Sequence, residues 1–126
     1  MKFYYNGKLM RTSKTHEYKY AIITENGDLW SCHGTIEAAQ KEFRRPISEC
    51  ETSIADTKKI IAALEKGKTY VDLKVCKRWY RVNLKGKNAD GSKRSEISTW
   101  ANDIPKLEKR IEFLNTRKIV ELEARA

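Results

Sequence analysis

The sequence predicts an α+β fold in which an antiparallel β-sheet packs with two helices. Residues 1–34 and 69–85 alternate apolar and polar side chains around turn-forming dipeptides, as antiparallel strands do. Residues 35–66 and 103–124 instead repeat apolar side chains at helical spacing. Neither an internal repeat nor an interdomain linker is visible, so the 126 residues are predicted to form a single domain. Whether the strands form one sheet or two stays open at this point.

Residues 1–34 predict two β-hairpins. Asn6-Gly7 favours a two-residue hairpin turn because both central positions need a positive φ. Alternation places Tyr18, Tyr20 and Ile22 on one face of the third strand, which is predicted to be its core face. The predicted strands are Lys2–Tyr5, Lys8–Thr12, Tyr18–Thr24 and Leu29–His33.

Residues 35–66 predict one long helix that contains Pro46. Thr35 suits the N-cap, and Gly67 suits the position that follows the last turn. Proline disfavours helical geometry in the residue before it, yet the apolar stripe continues across Pro46 in phase. A kink or a brief break is therefore expected there, and a long loop is not.

The apolar stripe of this helix has two interpretations. It can pack on the sheet of its own chain, or residues 47–64 can form the seam of a homodimer. Small Cys50 and polar Thr57 lie within the stripe and favour the first interpretation. Farther along, residues 93–100 are predicted to form a strand, and residues 103–124 a C-terminal helix.

The net charge of +9 is concentrated in one segment of the chain. Residues 66–94 contain ten Lys and Arg against two Asp, which accounts for +8 of that surplus. Such a surplus points to a polyanionic partner such as nucleic acid. No stretch approaches the roughly 18 apolar residues of a membrane span, so no membrane association is expected.

The basic segment is predicted to form a hairpin and a following loop within residues 69–100, with strands over Thr69–Val75 and Trp79–Lys85 and a three-residue turn, Cys76-Lys77-Arg78, between them. If its apolar positions share the core face, the outer face carries cations that neutralise phosphates and aromatic rings that stack on bases. The predicted residues for binding nucleic acid or another partner are Tyr70, Lys74, Lys77, Arg78, Trp79, Arg81, Lys85, Lys87, Lys93 and Arg94.

Three alternatives to the binding of a nucleic-acid strand stay open for this hairpin. Its tip can enter the groove of a duplex. Its Lys and Arg side chains can merely form a solvated face that protects the sheet edges from aggregation. In a reversed register, Trp79 would be buried under a helix instead of exposed.

The residues indicate neither catalysis nor a bound cofactor. No phosphate-binding glycine loop, nucleophile motif or metalloprotease motif is present, so no enzymatic activity is predicted. Cys32-His33 lacks the paired spacing of a zinc site, and no metal site is predicted. Asp72 is the one carboxylate within the basic hairpin that suggests Mg²⁺-dependent cleavage, and it stands alone. Three cysteines without a CxxC pair and the absence of an apolar leader favour the cytoplasm.

Four segments of the N-terminal third carry a resemblance to a known group of proteins: Tyr4–Leu9, Arg11–Lys14, Glu17–Ala21 and Cys32–Thr35. They resemble small proteins encoded by bacteriophages and mobile elements of Gram-positive bacteria. The resemblance implies an accessory factor in the cytoplasm of a bacterial host cell. Such a factor either binds DNA or RNA, or inhibits a host defence nucleoprotein such as a CRISPR effector. A chain at +9 is not an acidic DNA mimic, so an inhibitor of this kind would contact guide RNA, target DNA or acidic protein surface beside them.

Overall fold

A computed structural model describes all 126 residues as eight strands and three helices. Every strand pair is antiparallel, which confirms the α+β class. The strands are β1 (Lys2–Tyr5), β2 (Lys8–Thr12), β3 (Tyr20–Ile23), β4 (Leu29–His33), β5 (Tyr70–Val75), β6 (Arg78–Asn83), β7 (Lys118–Glu121) and β8 (Glu123–Arg125). The helices are α1 (Ile36–Glu65), α2 (Ile97–Ala101) and α3 (Asp103–Asn115).

The chain divides into two compact units. The first contains Met1–Ser48 together with Ile111–Ala126, and the second contains Glu49–Arg110. Each unit has its own cluster of buried apolar side chains. The single domain predicted for residues 1–126 stays a prediction.

Strands from the C-terminal end of the chain complete the sheets of the first unit. The predicted hairpins are confirmed: β1 pairs with β2, and β3 pairs with β4. β8 adds to the free edge of β1, and β7 adds to that of β3, which makes two three-stranded sheets. Between β7 and β8, the backbone N–H of Leu122 donates to the carbonyl of Lys19 at 2.8 Å. Ala21, Ile23 and Cys32 form the buried cluster.

The predicted helix over residues 103–124 is wrong beyond residue 115. The backbone N–H of Thr116 donates to Phe113, and that of Arg117 to Leu114, so the chain turns out of α3. β-branched Ile119 and Val120 then suit β7, whose pairing with β3 outweighs the helical spacing of the apolar residues.

The predicted core face of β3 is also wrong in part. Ile22 is buried as expected, but Ala21 and Ile23 on the other face are buried too. Tyr18 and Tyr20 are only half-buried. Successive residues of a strand point to opposite faces, so the burial of Ala21, Ile22 and Ile23 shows that β3 is covered on both faces.

Helix α1 is continuous through Pro46, which excludes a break between two helices, and the kink at Pro46 stays a prediction. The hydroxyl of Thr35 accepts the backbone N–H of Ala38 at 3.1 Å, which confirms the N-cap. Gly67, at a φ of 74°, follows the last turn as expected. Pro46 cannot donate to the carbonyl four residues earlier, yet the helix continues past it, and both Pro46 and Ile47 are buried.

In the second unit, the hairpin of β5 and β6 packs on the C-terminal half of α1. Ile60 and Ala63 of α1 contact Leu73 and Leu84 to form the buried cluster, against which Trp100 packs. The apolar stripe of α1 therefore packs into the core of its own chain in this unit. The homodimer through residues 47–64 stays a prediction.

The strand predicted over residues 93–100 is wrong because this segment contains helix α2. The indole N–H of Trp100 in α2 donates to the carbonyl of Arg94 at 2.8 Å. Since Trp100 also packs against the buried cluster, it anchors a helical turn where alternation alone had indicated a strand.

Candidate nucleic-acid interface

The pairing of β5 with β6 determines which side chains share a face of the hairpin. Lys74 lies opposite Trp79, Asp72 opposite Arg81, and Tyr70 opposite Asn83. Because directly opposed residues point to the same side of a sheet, these six residues form one face, called the basic face below. Trp79 is 68% exposed, which confirms the predicted side and excludes its burial under a helix.

The turn between the strands contains two residues instead of the predicted three. Cys76 and Lys77 adopt positive φ values of 52° and 67°, as a type I′ turn requires. Arg78 consequently belongs to β6 and lies opposite Val75, on the side away from the basic face. Lys77 occupies the tip.

Lys74 and Trp79 form the open part of the basic face. The Nζ atom of Lys74 lies over the indole ring, 5.8 Å from its centroid. Both residues are exposed, and no carboxylate pairs with Lys74. An ammonium group beside an accessible aromatic ring can contact a phosphate while the ring stacks on a base.

Arg81 is already engaged within the basic face. Its Nε and Nη2 atoms donate to the two carboxylate oxygens of Asp72 at 2.9 and 3.2 Å. The guanidinium also lies over the ring of Tyr70, 4.0 Å from the centroid. The hydrogen bond and the charge of Arg81 hold the pKa of Asp72 below its ordinary value. Arg81 and Tyr70 are therefore less available to a ligand than Lys74 and Trp79.

The remaining predicted cations lie in or beside the loop after β6. Lys85 and Lys87 are exposed, and Lys87 lies directly opposite Lys93 in an isolated antiparallel bridge. Arg94 is half-buried, and its Nε atom donates to the side-chain oxygen of Asn88 at 3.1 Å. The three lysines are thus open to a partner, whereas Arg94 helps to hold the loop.

The opposite side of the hairpin has an exposed apolar end that sequence reasoning missed. Val75 is 40% exposed and Tyr80 52% exposed, although alternation had placed both on the core face. Val75 lies closer to the turn than Leu73, the last buried residue of β5, whereas Tyr80 lies directly opposite Leu73. Distance from the helix along the strand separates Val75 from Leu73 and is a signal that alternation alone omits, but no sequence signal separates Tyr80 from Leu73. Val75 and Tyr80 are called the apolar tip below.

No group of three or more His, Cys, Asp and Glu side chains is placed to hold a metal ion. None of the helices combines the length and apolar character that crossing a membrane requires. Comparison with protein families, with curated proteins and with solved structures finds no significant match to this chain.

Proposed function

We propose that this chain is a non-catalytic nucleic-acid-binding protein that uses the basic face and the lysines around it. The observation that carries this proposal is the exposed ring of Trp79 beside Lys74, within the segment that holds most of the net charge. Cations that neutralise phosphates release counterions, and an accessible aromatic ring adds stacking energy. The proposed setting is the cytoplasm of a bacterial host cell.

Five exposed lysines supply the proposed phosphate contacts: Lys74, Lys77, Lys85, Lys87 and Lys93. Like charges directly opposite each other destabilise a β-bridge, and Lys87 faces Lys93 in this way. A bound phosphate between them would relieve that repulsion. Arg78 extends the cationic surface on the other side of the tip.

Fluorescence anisotropy of labelled oligonucleotides, titrated over a range of salt concentrations, tests this proposal. The variant Lys74→Glu/Lys85→Glu is compared with Lys58→Glu/Lys59→Glu, which changes the net charge equally on the exposed surface of α1. We expect the first variant alone to lose most of its affinity. For single strands, the loss of two phosphate contacts lowers the salt slope by about 1.4. Equal losses in both variants, or no binding even at low salt, would contradict the proposal.

A second candidate function is inhibition of a host defence nucleoprotein through protein contact. The apolar tip favours it, because Val75 and Tyr80 are exposed apolar side chains on one side of the hairpin and are suited to contact with a protein surface. We expect Val75→Ser/Tyr80→Ser to weaken binding to a purified CRISPR effector loaded with guide RNA, and to leave binding to the naked RNA unchanged. An unchanged affinity for the loaded effector would contradict this candidate.

A further inference from the structure

The two aromatic rings of the basic face differ in how far they are open to a ligand. The ring of Tyr70 is covered by the guanidinium of Arg81, which Asp72 holds in place through two hydrogen bonds. The ring of Trp79 is 68% exposed and has a single cation, Lys74, near its centroid. Trp79 is therefore the accessible stacking surface of this face.

An accessible indole distinguishes between single-stranded and double-stranded nucleic acid. In a duplex, each base is stacked between its neighbours, and only base edges are presented in the grooves. Unpaired bases expose their flat faces and stack on aromatic side chains with little dependence on sequence. Trp79 can thus stack on a base only where the strand is unpaired.

The basic face is also poorly equipped to read a duplex groove. A two-stranded ribbon fits the major groove in width, but groove recognition uses free hydrogen-bonding side chains such as Arg, Asn and Gln against base edges. Arg81, the one guanidinium on this face, already donates to Asp72, and the side-chain oxygen of Asn83, its one amide, already accepts the backbone N–H of Lys85. On the side of the hairpin away from the basic face, the apolar tip would contact the polar walls of the groove.

We infer that the basic face recognises single-stranded DNA or RNA in preference to a duplex, with an unpaired base stacked on Trp79. Lys74, over the same ring, contacts the phosphate next to that base. This inference rests on the proposed function and specifies its substrate class. It assigns separate roles to the two residues: Trp79 supplies the preference for single strands, and Lys74 supplies affinity that depends on salt.

Anisotropy with three labelled probes tests the inference: oligodeoxythymidine, oligouridine and a mixed-sequence DNA duplex, each of about 15 nucleotides or base pairs, near the upper end of single-strand site sizes. The intact protein is expected to bind one or both single strands more tightly than the duplex. Trp79→Ala is expected to weaken single-strand binding by about 5- to 150-fold, which corresponds to one stacked base. Duplex affinity is expected to change little.

Trp79→Phe serves as the conservative variant and keeps most of the single-strand affinity. It also removes one of three tryptophans, so fluorescence quenching by the single strand should disappear while Trp30 and Trp100 still emit. Thermal unfolding followed by circular dichroism checks that both variants fold, as expected for so exposed a residue.

The outcomes separate this inference from the proposed function. Equal affinity for duplex and single strands would overturn the inference, as would full single-strand affinity in a folded Trp79→Ala variant. In both cases salt-sensitive binding would leave the proposed function standing. No binding of any probe at low salt would overturn both.

Discussion

Asp72 and Arg81 show how two side chains can reduce the charge that a surface offers to a ligand. The pair places a carboxylate among the cations of the basic face and engages the only guanidinium there. Both groups are largely exposed, so their pairing adds little to folding stability, as is usual for surface ion pairs. The main consequence of the ion pair is that it reduces the charge available to bind a ligand.

We expect Asp72→Asn to raise the affinity for single-stranded nucleic acid. The substitution removes a negative charge from the basic face and releases Arg81 to contact a phosphate. One additional phosphate contact steepens the salt slope by about 0.7. Anisotropy titrations at several salt concentrations measure both changes.

Glu65→Gln is the matched control, because it alters the net charge by the same amount at the exposed end of α1. It should change the affinity far less than Asp72→Asn. If the two variants gain affinity equally, the effect is one of overall charge, and the ion pair does not limit binding.

Sequence reasoning identified the basic face but not its internal contacts. Apolar alternation was sufficient to assign Lys74, Trp79 and Arg81 to one side, because the period of a strand is two residues. Which residues face each other depends on the length of the turn. A two-residue turn places Asp72 opposite Arg81, and the predicted three-residue turn concealed that pairing.

Two tight turns of the chain differ in how well their residues suit the positive φ values that they adopt. Asn6-Gly7 and Cys76-Lys77 both have positive φ at two successive positions. Asn and Gly tolerate this conformation, whereas Cys and Lys bear a steric cost from their Cβ atoms. β5 and β6 therefore pair even though the residues of their turn disfavour the conformation that it requires.

We expect Cys76→Asn/Lys77→Gly to stabilise the hairpin by roughly 1–2 kcal/mol because it relieves this steric cost. Amide hydrogen exchange in β5 and β6 measures the change directly. Gly7→Ala should act in the opposite direction on the β1–β2 hairpin, since Gly7 has a φ of 76°. Unchanged or faster exchange in β5 and β6 would show that the turn is not strained.

The two ends of the chain meet in the first unit. β8 pairs with β1, and β7 pairs with β3, across more than ninety residues of sequence. Local patterns cannot reveal partners so distant, which is why residues 116–124 were predicted to continue a helix. The apolar phase change after Asn115 was the one local sign that α3 ends there.

We expect removal of residues 116–126 to unfold the first unit. The deletion leaves β1 and β3 without one neighbour each, and it removes Arg117. This buried guanidinium lies 4.5 Å from the ring centroid of Trp30 and 4.6 Å from that of Phe43, and it donates to the Phe43 carbonyl at 2.7 Å. Loss of dispersed amide signals from β1–β4 measures the effect. Removal of Ala126 alone is the control, and native signals in the longer deletion would contradict the expectation.

The most direct test of where the chain binds nucleic acid is a ¹H–¹⁵N correlation titration with a single-stranded oligonucleotide. The three tryptophan indole signals act as internal reporters. We predict that the Trp79 signal and the amides of β5 and β6 shift most. Trp100, whose indole N–H is bonded to Arg94, and Trp30 should shift little. Shifts confined to the first unit, or an unmoved Trp79 signal at saturation, would contradict the assignment of the basic face as the binding surface.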